Sequence, residues 1–583
     1  MIWILEEIEL LARKYALLNA SSHDGKADRG AVLGRIMAER SDLRKDSKLV
    51  GEVVGRVIAE ISSITPEEQE ELLKAEFPDF FDSENARKKL QSKKDSEKVL
   101  ELPELPGAVV GSFVTRFPPE PNGFMHIGHA KAALLGSEYR KKYKGKFIVR
   151  FDDTNPSAEK LEYYDAFLES FKWLGIEIDA IRNSSDDMDR FYGFAEKLII
   201  DSKAYVCTCT QEKMRALRGE SKCCEHRDRS SEENLEIWHK MVNRAMSKSE
   251  ATLRYKGDMA SLNTAIRDPV IFRIILEPHP LLGNRYAVWP TYDFAGPVED
   301  SLDGVTHALR SKEYELRDEP YHAILHDLGL RHPIIIEFSR LGLQNTTVSK
   351  RKLRKLIDEK LVEGWDDPRL PTIEGLKKRG ILADAIREFV LSMGLSKVES
   401  EPTWDLLESI NRKLLDPIAK RFFFVPDPVK LVVENAPKVD VKLAFHPDKS
   451  EYGERTIATG DTFYVPGSDA NELKEGSIFR LIEAYNVKLV KKGNELRAKY
   501  ESDEKAIQGP KLQWVAEGKA LPFSAIVLGP LLVDDTFNPK SLEIKQGLVE
   551  DSAAQLKVGD HVQFVRFGFC RIDADKMAIR THK

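Results

Sequence analysis

The sequence predicts a multidomain protein with four successive regions: helical, α/β, a helical connection and all-β. Up to about residue 92, apolar residues recur at three- and four-residue steps. Residues 111–155 follow a strand–loop–helix–strand pattern. After about residue 426, short strand-like runs are separated by Gly, Pro, Asn and Asp. At 583 residues the chain is too long for a single core, so several domains are expected.

The N-terminal region, residues 1–107, should be a set of amphipathic helices followed by a linker. Val50, Val54 and Val57 share one predicted helical face, and Pro66 is a favourable first residue of a further helix. Residues 93–106 are charged and contain prolines, which is typical of a linker.

The α/β region opens with a predicted βαβ unit. Residues 113–117 are β-branched and aromatic, as in a buried strand, and the prolines of residues 118–123 force a loop. Residues 127–143 lack proline and favour a helix, and residues 147–151 form a second strand. The crossover between the two strands should be right-handed.

The start of this helix is a candidate nucleoside triphosphate site. His126 and His129 are three residues apart and share one face of the first turn. That turn also offers free backbone N–H groups and the positive end of the helix dipole. Gly128 has no side chain, so a flat ring could approach the backbone. The alternative is two surface histidines, which the preceding proline-rich loop and strand disfavour.

Asp152 follows the second strand directly. The carboxyl ends of parallel strands form the crevice in which α/β folds bind ligands, so Asp152 could hold a substrate ammonium group. The alternative is that the neighbouring Asp153 or Asn155 only caps the following helix.

Four of the five cysteines fall within 18 residues, between Cys207 and Cys224. Cys207, Cys209, Cys224 and His226 offer a set of ligands suited to tetrahedral zinc. Cys223 competes with Cys224, and ordinary reduced thiols remain the alternative to a metal site. Five cysteines in a chain of this length do not form a disulfide framework.

Charge and hydropathy indicate a soluble protein. The net charge of −6 argues against a uniformly basic coat for nucleic acid, but not against local basic patches. No apolar run is long enough to span a membrane. Residues 1–5 are apolar, but Glu6 and Glu7 follow at once, so we expect no signal peptide and a cytoplasmic protein.

Residues 115–129, TRFPPEPNGFMHIGH, resemble the HIGH signature of class I aminoacyl-tRNA synthetases, in particular the glutamyl/glutaminyl branch. Residues 347–351, TVSKR, resemble the second signature, KMSKS, with Thr347 and Val348 in place of its first two residues. Lys350 is retained. The resemblance continues through residues 362–369 and covers about five-sixths of the chain, after about residue 107.

This resemblance implies the domain plan. A Rossmann-type catalytic domain is expected over residues 108–371, with an acceptor-binding insertion at about 160–270. A helical connection follows over 372–425. Residues 426–583 should form the β-barrel anticodon-binding region of glutaminyl and archaeal or eukaryotic glutamyl enzymes. Residues 1–107 resemble their accessory domain, which is either a contact for tRNA or a partner, or a solvated helical bundle.

The resemblance also implies roles for individual residues. The catalytic residues are His126, His129 and Lys350. ATP is bound by His126, Gly128, His129, Arg340, Ser349 and Lys350. The amino acid is bound by Arg116, Glu120, Asp152, Tyr292 and Arg310. Gln546 faces the tRNA anticodon, and some relatives carry zinc in the insertion, where Cys207, Cys209, Cys224 and His226 lie.

The implied reaction is the ATP-dependent ligation of L-glutamate to tRNA(Glu) through a glutamyl-adenylate, with Mg²⁺ accompanying ATP. At the position of Arg310, glutamyl enzymes carry arginine and glutaminyl enzymes a small uncharged residue, which favours glutamate. A glutaminyl enzyme is the first alternative, and a nucleotidyltransferase that does not use tRNA is the second. Charging of tRNA(Gln) is left open, and a monomer is expected.

Overall fold

The computed structural model describes residues 2–21, 27–40, 43, 47–78, 80, 102–399, 401–505 and 509–583. The chain divides into two compact units, one up to Glu101 and one from Leu102 onward. No helix in these ranges is both long and apolar enough to span a membrane.

The first unit is helical, as predicted. Its helices are α1 (Ile2–Ser21), α2 (Arg29–Glu39), α3 (Ser47–Ile61) and α4 (Pro66–Glu76). The helix α1 packs against the other three around a core that includes Ile8 and Val54. Thr65 caps α4 through reciprocal hydrogen bonds with Glu68, which explains why the helix begins at Pro66. Of the predicted linker, residues 93–101 lie outside the described ranges.

The second unit begins with a parallel sheet. Its first half consists of β1 (Val114–Phe117), α5 (Ile127–Lys142), β2 (Lys146–Phe151), α6 (Leu161–Trp173) and β3 (Ala180–Asn183). The central strand β2 pairs in parallel with β1 and with β3. Residues 161–183, which the sequence assigned to the insertion, therefore extend the parallel sheet. The sequence analysis did not predict β3, because this strand is short, largely exposed and has no apolar run.

A separate antiparallel layer follows. Its elements are α7 (Met188–Ile200), β4 (Ala204–Cys207), α8 (Gln211–Gly219), α9 (Ser231–Val242), β5 (Thr252–Tyr255), β6 (Val270–Ile274) and β7 (Val288–Pro290). The four strands pair in sequence order into one antiparallel sheet. Trp238 and Phe272 lie fully buried in its core.

The chain then returns to the parallel sheet. The elements are α10 (Tyr292–Leu302), β8 (His307–Ser311), α11 (Asp318–Leu328) and β9 (Ile334–Phe338). The strands β8 and β9 pair in parallel, and β8 lies beside β1, where the backbone N–H of Thr306 donates to the carbonyl oxygen of Val114 at 2.8 Å. The spatial order β3-β2-β1-β8-β9 reverses between β1 and β8, as in Rossmann-type folds, and ligands bind at such a switch point.

The helix α12 (Lys350–Asp358) precedes the connection, which is formed by three helices. They are α13 (Ile373–Arg379), α14 (Ala383–Met393) and α15 (Trp404–Leu415). Ile386 and Phe389 of α14 share a core with Leu134 of α5 and Phe147 of β2. The helical segment is thereby packed directly onto the helix that carries the histidine pair.

The C-terminal region consists of two seven-stranded, barrel-like sheets and two further sheets of two strands each. The strands are β10 (Lys420–Phe422), β11 (Phe424–Pro426), β12 (Val429–Glu434), β13 (Asp440–Ala444), β14 (Glu454–Ala458), β15 (Thr462–Val465), β16 (Ile478–Leu481), β17 (Asn486–Lys491), β18 (Leu496–Ser502), β19 (Lys511–Leu512), β20 (Val515–Ala516), β21 (Ala520–Leu528), β22 (Leu532–Val533), β23 (Thr536–Phe537), β24 (Leu542–Glu550), β25 (His561–Phe564), β26 (Gly568–Ala574) and β27 (Met577–His582), with one short helix, α16 (Gly467–Glu472). The sheet orders are β10-β25-β26-β27-β21-β24-β11 and β19-β16-β17-β18-β12-β15-β20.

Two details of this region differ from the sequence prediction. The first strands begin at Lys420 rather than near residue 426, because β10 and β11 pair with distant partners, β25 and β24. The sequence of residues 562–570 predicts a single strand. In the structure these residues instead belong to two antiparallel strands, β25 and β26, and to the turn between them. Arg566 adopts a left-handed conformation, with φ of 61°, at its turn.

Candidate active site

The candidate site lies at the carboxyl ends of the parallel strands, at the switch point. Arg116 comes from β1, Asp152 follows β2, Arg310 lies near the end of β8, and Arg340 follows β9. The predicted residues therefore come from separate segments of the chain and meet at one edge of the sheet.

His126 and His129 cap their own helix. The Nδ1 atom of His126 accepts from the backbone N–H groups of Gly128 (3.1 Å) and His129 (3.4 Å). The Nδ1 atom of His129 accepts from the backbone N–H of His126 at 3.3 Å, and the two rings stack with centroids 3.7 Å apart. Because each Nδ1 is an acceptor, each neutral imidazole carries its proton on Nε2. Both rings therefore offer an N–H donor.

The site keeps both imidazoles neutral. Burial lowers the pKa of His126 to about 3, and the positive charges of Lys350 and Arg340 contribute to the lowering. Burial also lowers the pKa of His129 well below its usual value. The pair can donate hydrogen bonds to an anion without itself becoming charged at neutral pH.

Gly128 is required by close packing around the histidine pair. A Cβ atom at this position would lie 3.0 Å from Cε1 of His126 and 3.2 Å from the carbonyl oxygen of Leu341. The glycine thus lets the first imidazole fold over the helix start, a role that differs from the predicted approach of a ligand ring.

Lys350 is the first residue of α12 and reaches back to the proline-rich loop. Its Nζ donates to the carbonyl oxygen of Glu120 at 3.1 Å and to Oδ1 of Asn122. Burial lowers the pKa of Lys350 to about 8, so the group is largely protonated at neutral pH. No carboxylate pairs with it in the described residues, which leaves its charge available to an anion.

Arg340 and Ser349 lie on the exposed side of the site. Nε of Arg340 pairs with Glu313 at 2.6 Å. Ser349 immediately precedes α12, and its backbone N–H donates to the hydroxyl of Thr347 at 3.2 Å. Arg340 acts on His126 electrostatically, since its charge contributes to the low pKa of that imidazole.

Arg310 is buried, with 5% of its surface exposed. Its Nη2 pairs with Asp318, and its guanidinium lies 5.2 Å from the ring centre of Tyr321. Its Nε and Nη1 have no hydrogen-bond partner among the described residues. A buried guanidinium with unused donors is costly, and a ligand carboxylate would satisfy them.

Asp152, Glu120 and Tyr292 surround the same space. Burial, followed by the charge of Glu120, raises the pKa of Asp152 to about 6. This carboxylate would gain from a cation beside it. Burial raises the pKa of Tyr292, which interacts electrostatically with Arg116, Arg310 and Asp152. Tyr292 therefore links the residues predicted to bind the amino acid.

A buried charge network that the sequence analysis missed lies beneath the site. Asp300 of α10 accepts from Nε (2.8 Å) and Nη2 (3.0 Å) of Arg116, from Nη2 of Arg150 (2.7 Å) and from the hydroxyl of Tyr321 (2.9 Å). Nη1 of Arg116 donates to the carbonyl oxygen of Leu309 at 2.8 Å. The available signal was Arg150, a charged residue between the apolar residues Val149 and Phe151 of β2.

The predicted metal ligands converge. One ligand atom from each of Cys207, Cys209, Cys224 and His226 lies within 4.8 Å of all the others. The Sγ atoms of Cys207 and Cys224 are 3.8 Å apart, too far for a disulfide and close to the roughly 3.8 Å edge of a tetrahedron with zinc–sulfur bonds of about 2.3 Å. Nε2 of His226 hydrogen-bonds Thr208 at 3.1 Å, and Cys223 is exposed. These four donors fit zinc, and of the two adjacent cysteines it is Cys224, rather than Cys223, that belongs to the cluster.

Gln546 lies on β24 with its side chain exposed. Its Oε1 accepts from the hydroxyl of Ser524, directly opposite on β21, at 2.9 Å. The side chain is held on an open sheet surface, far in sequence from the histidine pair.

The comparisons with known proteins agree with this arrangement. Residues 112–417 match the family model of the catalytic domain of class I tRNA synthetases (E and Q). Residues 419–501 and 511–573 match two models of the anti-codon binding domain of the same enzymes. The chain belongs to the class I tRNA synthetases of the E and Q type.

Relatives along nearly the whole chain narrow the comparison. A protein of Nitrosopumilus maritimus is 43% identical, covering 99% of this chain and 100% of the relative. One of Cenarchaeum symbiosum is 44% identical (98% and 99% covered), and one of Pyrococcus furiosus is 41% identical (99% and 100%). All three are named Glutamate--tRNA ligase. The family membership predicted from the two signatures is confirmed.

Proposed function

We propose that the chain ligates L-glutamate to tRNA(Glu) through a glutamyl-adenylate. The choice of amino acid rests on the surroundings of Arg310. Its guanidinium is buried, and Nε and Nη1 have no hydrogen-bond partner among the described residues. The carboxylate of Asp152, whose pKa is raised, borders the same pocket. Glutamate offers a side-chain carboxylate for Arg310 and an ammonium group for Asp152. The three relatives named Glutamate--tRNA ligase support the same function.

In the first step, an oxygen of the α-carboxylate of glutamate attacks the α-phosphorus of ATP, and the bond between that phosphorus and pyrophosphate breaks. His126 and His129 donate their Nε2–H groups to phosphate oxygens, and Lys350 stabilises the negative charge that develops on pyrophosphate. Arg340 and Ser349 border the nucleotide, which enters with Mg²⁺.

In the second step, a terminal ribose hydroxyl of tRNA attacks the carbonyl carbon of the adenylate and AMP leaves. The protein acts mainly by positioning and by charge stabilisation.

Glutamine is the competing substrate. It has almost the shape of glutamate, but its amide would turn an NH₂ donor towards Arg310 and leave the guanidinium without an added anion. Although Asp318 already pairs with Arg310, glutamine would leave at least one of the buried donors Nε and Nη1 of Arg310 without an acceptor, so Arg310 should exclude glutamine.

The cysteine cluster is proposed to hold one structural zinc ion through Cys207, Cys209, Cys224 and His226. The metal would join β4 to the turn that follows α8 and would take no part in the chemical steps. The free thiols of the described cysteines suit a reducing compartment, so we assign the protein to the cytoplasm. We also propose that it acts as a monomer.

The assignment is tested by measuring charging of purified tRNA(Glu) and tRNA(Gln) with glutamate and with glutamine. We expect tRNA(Glu) to be charged with glutamate. Whether tRNA(Gln) is also charged with glutamate decides whether it is a second partner. ATP–pyrophosphate exchange should require tRNA. Exchange without tRNA, accompanied by no charging of either tRNA, would instead indicate a nucleotidyltransferase.

A further inference from the structure

Asp300 is fully buried and has no remaining hydrogen-bonding capacity. Its two oxygens accept four hydrogen bonds: two from Arg116, one from Arg150 and one from Tyr321. An ionised carboxylate has about four lone-pair positions. Asp300 therefore cannot bind an amino acid directly, although it lies beneath the pocket.

The same carboxylate is connected to both arginines predicted to bind the amino acid. It engages Arg116 through two parallel hydrogen bonds, which fix the plane of that guanidinium. Arg116 uses three of its five N–H groups on Asp300 and Leu309, so two remain for a substrate. The ring of Tyr321, whose hydroxyl donates to Asp300, supports the guanidinium of Arg310.

The charge state of Asp300 suits this role. Burial by itself would raise its pKa, but the Arg116 and Arg150 guanidiniums outweigh that effect and lower the pKa to about 2. The carboxylate therefore stays ionised throughout the physiological range and holds its partners continuously.

We propose that Asp300 is a positioning residue for amino-acid recognition, which orients Arg116 directly and Arg310 through the Tyr321 ring. This inference rests on the proposed function. Arg116 comes from β1, Arg310 from β8, Asp300 from α10 and Tyr321 from α11, so the network aligns four elements across the switch point. Loss of the network should weaken glutamate binding without disturbing the ATP site.

The test is Tyr321→Phe, which removes one hydroxyl and keeps the ring beneath Arg310. We expect the KM for glutamate to rise about tenfold, the effect of losing one hydrogen bond to a charged group. The KM for ATP and kcat should stay within about twofold. Tyr255→Phe is the matched control, because it removes a partly buried tyrosine–aspartate hydrogen bond of 2.7 Å to Asp327, which lies on α11 like Tyr321. Asp327 has no hydrogen bond to either arginine.

Asp300→Asn provides a second measurement. It should raise the KM for glutamate by more than Tyr321→Phe does and should lower the preference for glutamate over glutamine. The inference would be overturned if Tyr321→Phe and Tyr255→Phe had equal effects on the KM for glutamate. It would also be overturned if Asp300→Asn lost activity equally with glutamate and with glutamine. If the wild type does not charge tRNA with glutamate, the proposed function itself fails, which is a distinct result.

Discussion

At the scale of single residues, the histidine pair does two things at once. Each Nδ1 accepts a backbone N–H of the helix start, and this leaves each proton on Nε2. Helix capping thus sets the tautomer that an anion-binding site requires. Lys350 adds the positive charge that the neutral imidazoles lack.

Lys350→Ala should lower kcat by about 10²–10³, since a charge contact made mainly in the transition state contributes about 3–4 kcal/mol. Glutamate affinity should change little because Nζ of Lys350 contacts the side chain of Asn122 and the backbone carbonyl oxygen of Glu120, rather than the Glu120 carboxylate. Steady-state charging kinetics measure both quantities. A decrease in kcat of less than fivefold would show that Lys350 does not bind the leaving group.

Arg310→Cys should lose most of kcat/KM for glutamate, by a factor of about 10²–10³, and gain weak activity with glutamine. The reason is the loss of a buried cation that pairs with the substrate carboxylate, which is worth about 3–5 kcal/mol. Charging assays with both amino acids measure the change. If kcat/KM for glutamate stays within threefold of the wild type, Arg310 is not the specificity residue.

The raised pKa of Asp152 predicts a pH dependence. A carboxyl with a pKa of about 6 is ionised above that pH and neutral below it. Only the ionised form attracts an ammonium group, so kcat/KM for glutamate should fall as the pH drops below about 6. Asp152→Asn should show a lower kcat/KM and no such fall. An unchanged acid limb in this variant would assign the titration to another group.

At the scale of elements, the cysteine cluster illustrates how a local motif becomes a site. Cys207 ends β4, whereas Cys224 and His226 belong to the turn after α8. The hydrogen bond from Cys207 lowers the pKa of Cys224, which favours ionisation of one thiol of the cluster. Fold and donor chemistry both favour a cation here.

We expect elemental analysis of the purified protein to find about one zinc per chain. Cys224→Ser should lose the metal because it removes a buried ligand, whereas the adjacent Cys223→Ser should retain it because Cys223 is exposed and outside the cluster. Retention of zinc by Cys224→Ser would show that the ligand set is wrong.

At the scale of the whole molecule, the barrel-like region is integrated with the catalytic half. The carbonyl oxygen of Arg379 accepts from the hydroxyl of Thr581 at 2.8 Å, and Nη1 of Arg369 donates to Ser541 at 3.1 Å. Deletion of this region would therefore also damage the helical connection. Surface substitutions are the cleaner test of an anticodon role.

Gln546→Ala should raise the KM for tRNA about tenfold, because a base-edge hydrogen bond is worth about 1–3 kcal/mol. The KM for ATP should not change, since the substitution is confined to an exposed strand surface. Glu388→Ala, at an exposed position of α14 outside both segments that match the anti-codon binding domain, is the control. A KM for tRNA equal to that of the control would remove Gln546 from the anticodon site.

The sequence by itself determined the local features. Residues 113–151 form the predicted strand, helix and strand, because apolar periodicity, proline positions and helix capping act over a few residues. The Cys/His cluster that we propose to hold zinc could be predicted in the same way, since all four residues lie within 20 positions of one another.

Tertiary structure alone decided the rest. Asp300 meets Arg116, Arg150 and Tyr321, which are between 21 and 184 residues away in the chain, so no local pattern indicates the network. The exposed strand β3 and the early start of the barrel-like region at Lys420 likewise depend on pairing with distant strands. Buried polar groups must find partners wherever the fold places them, and only the folded chain shows which partners those are.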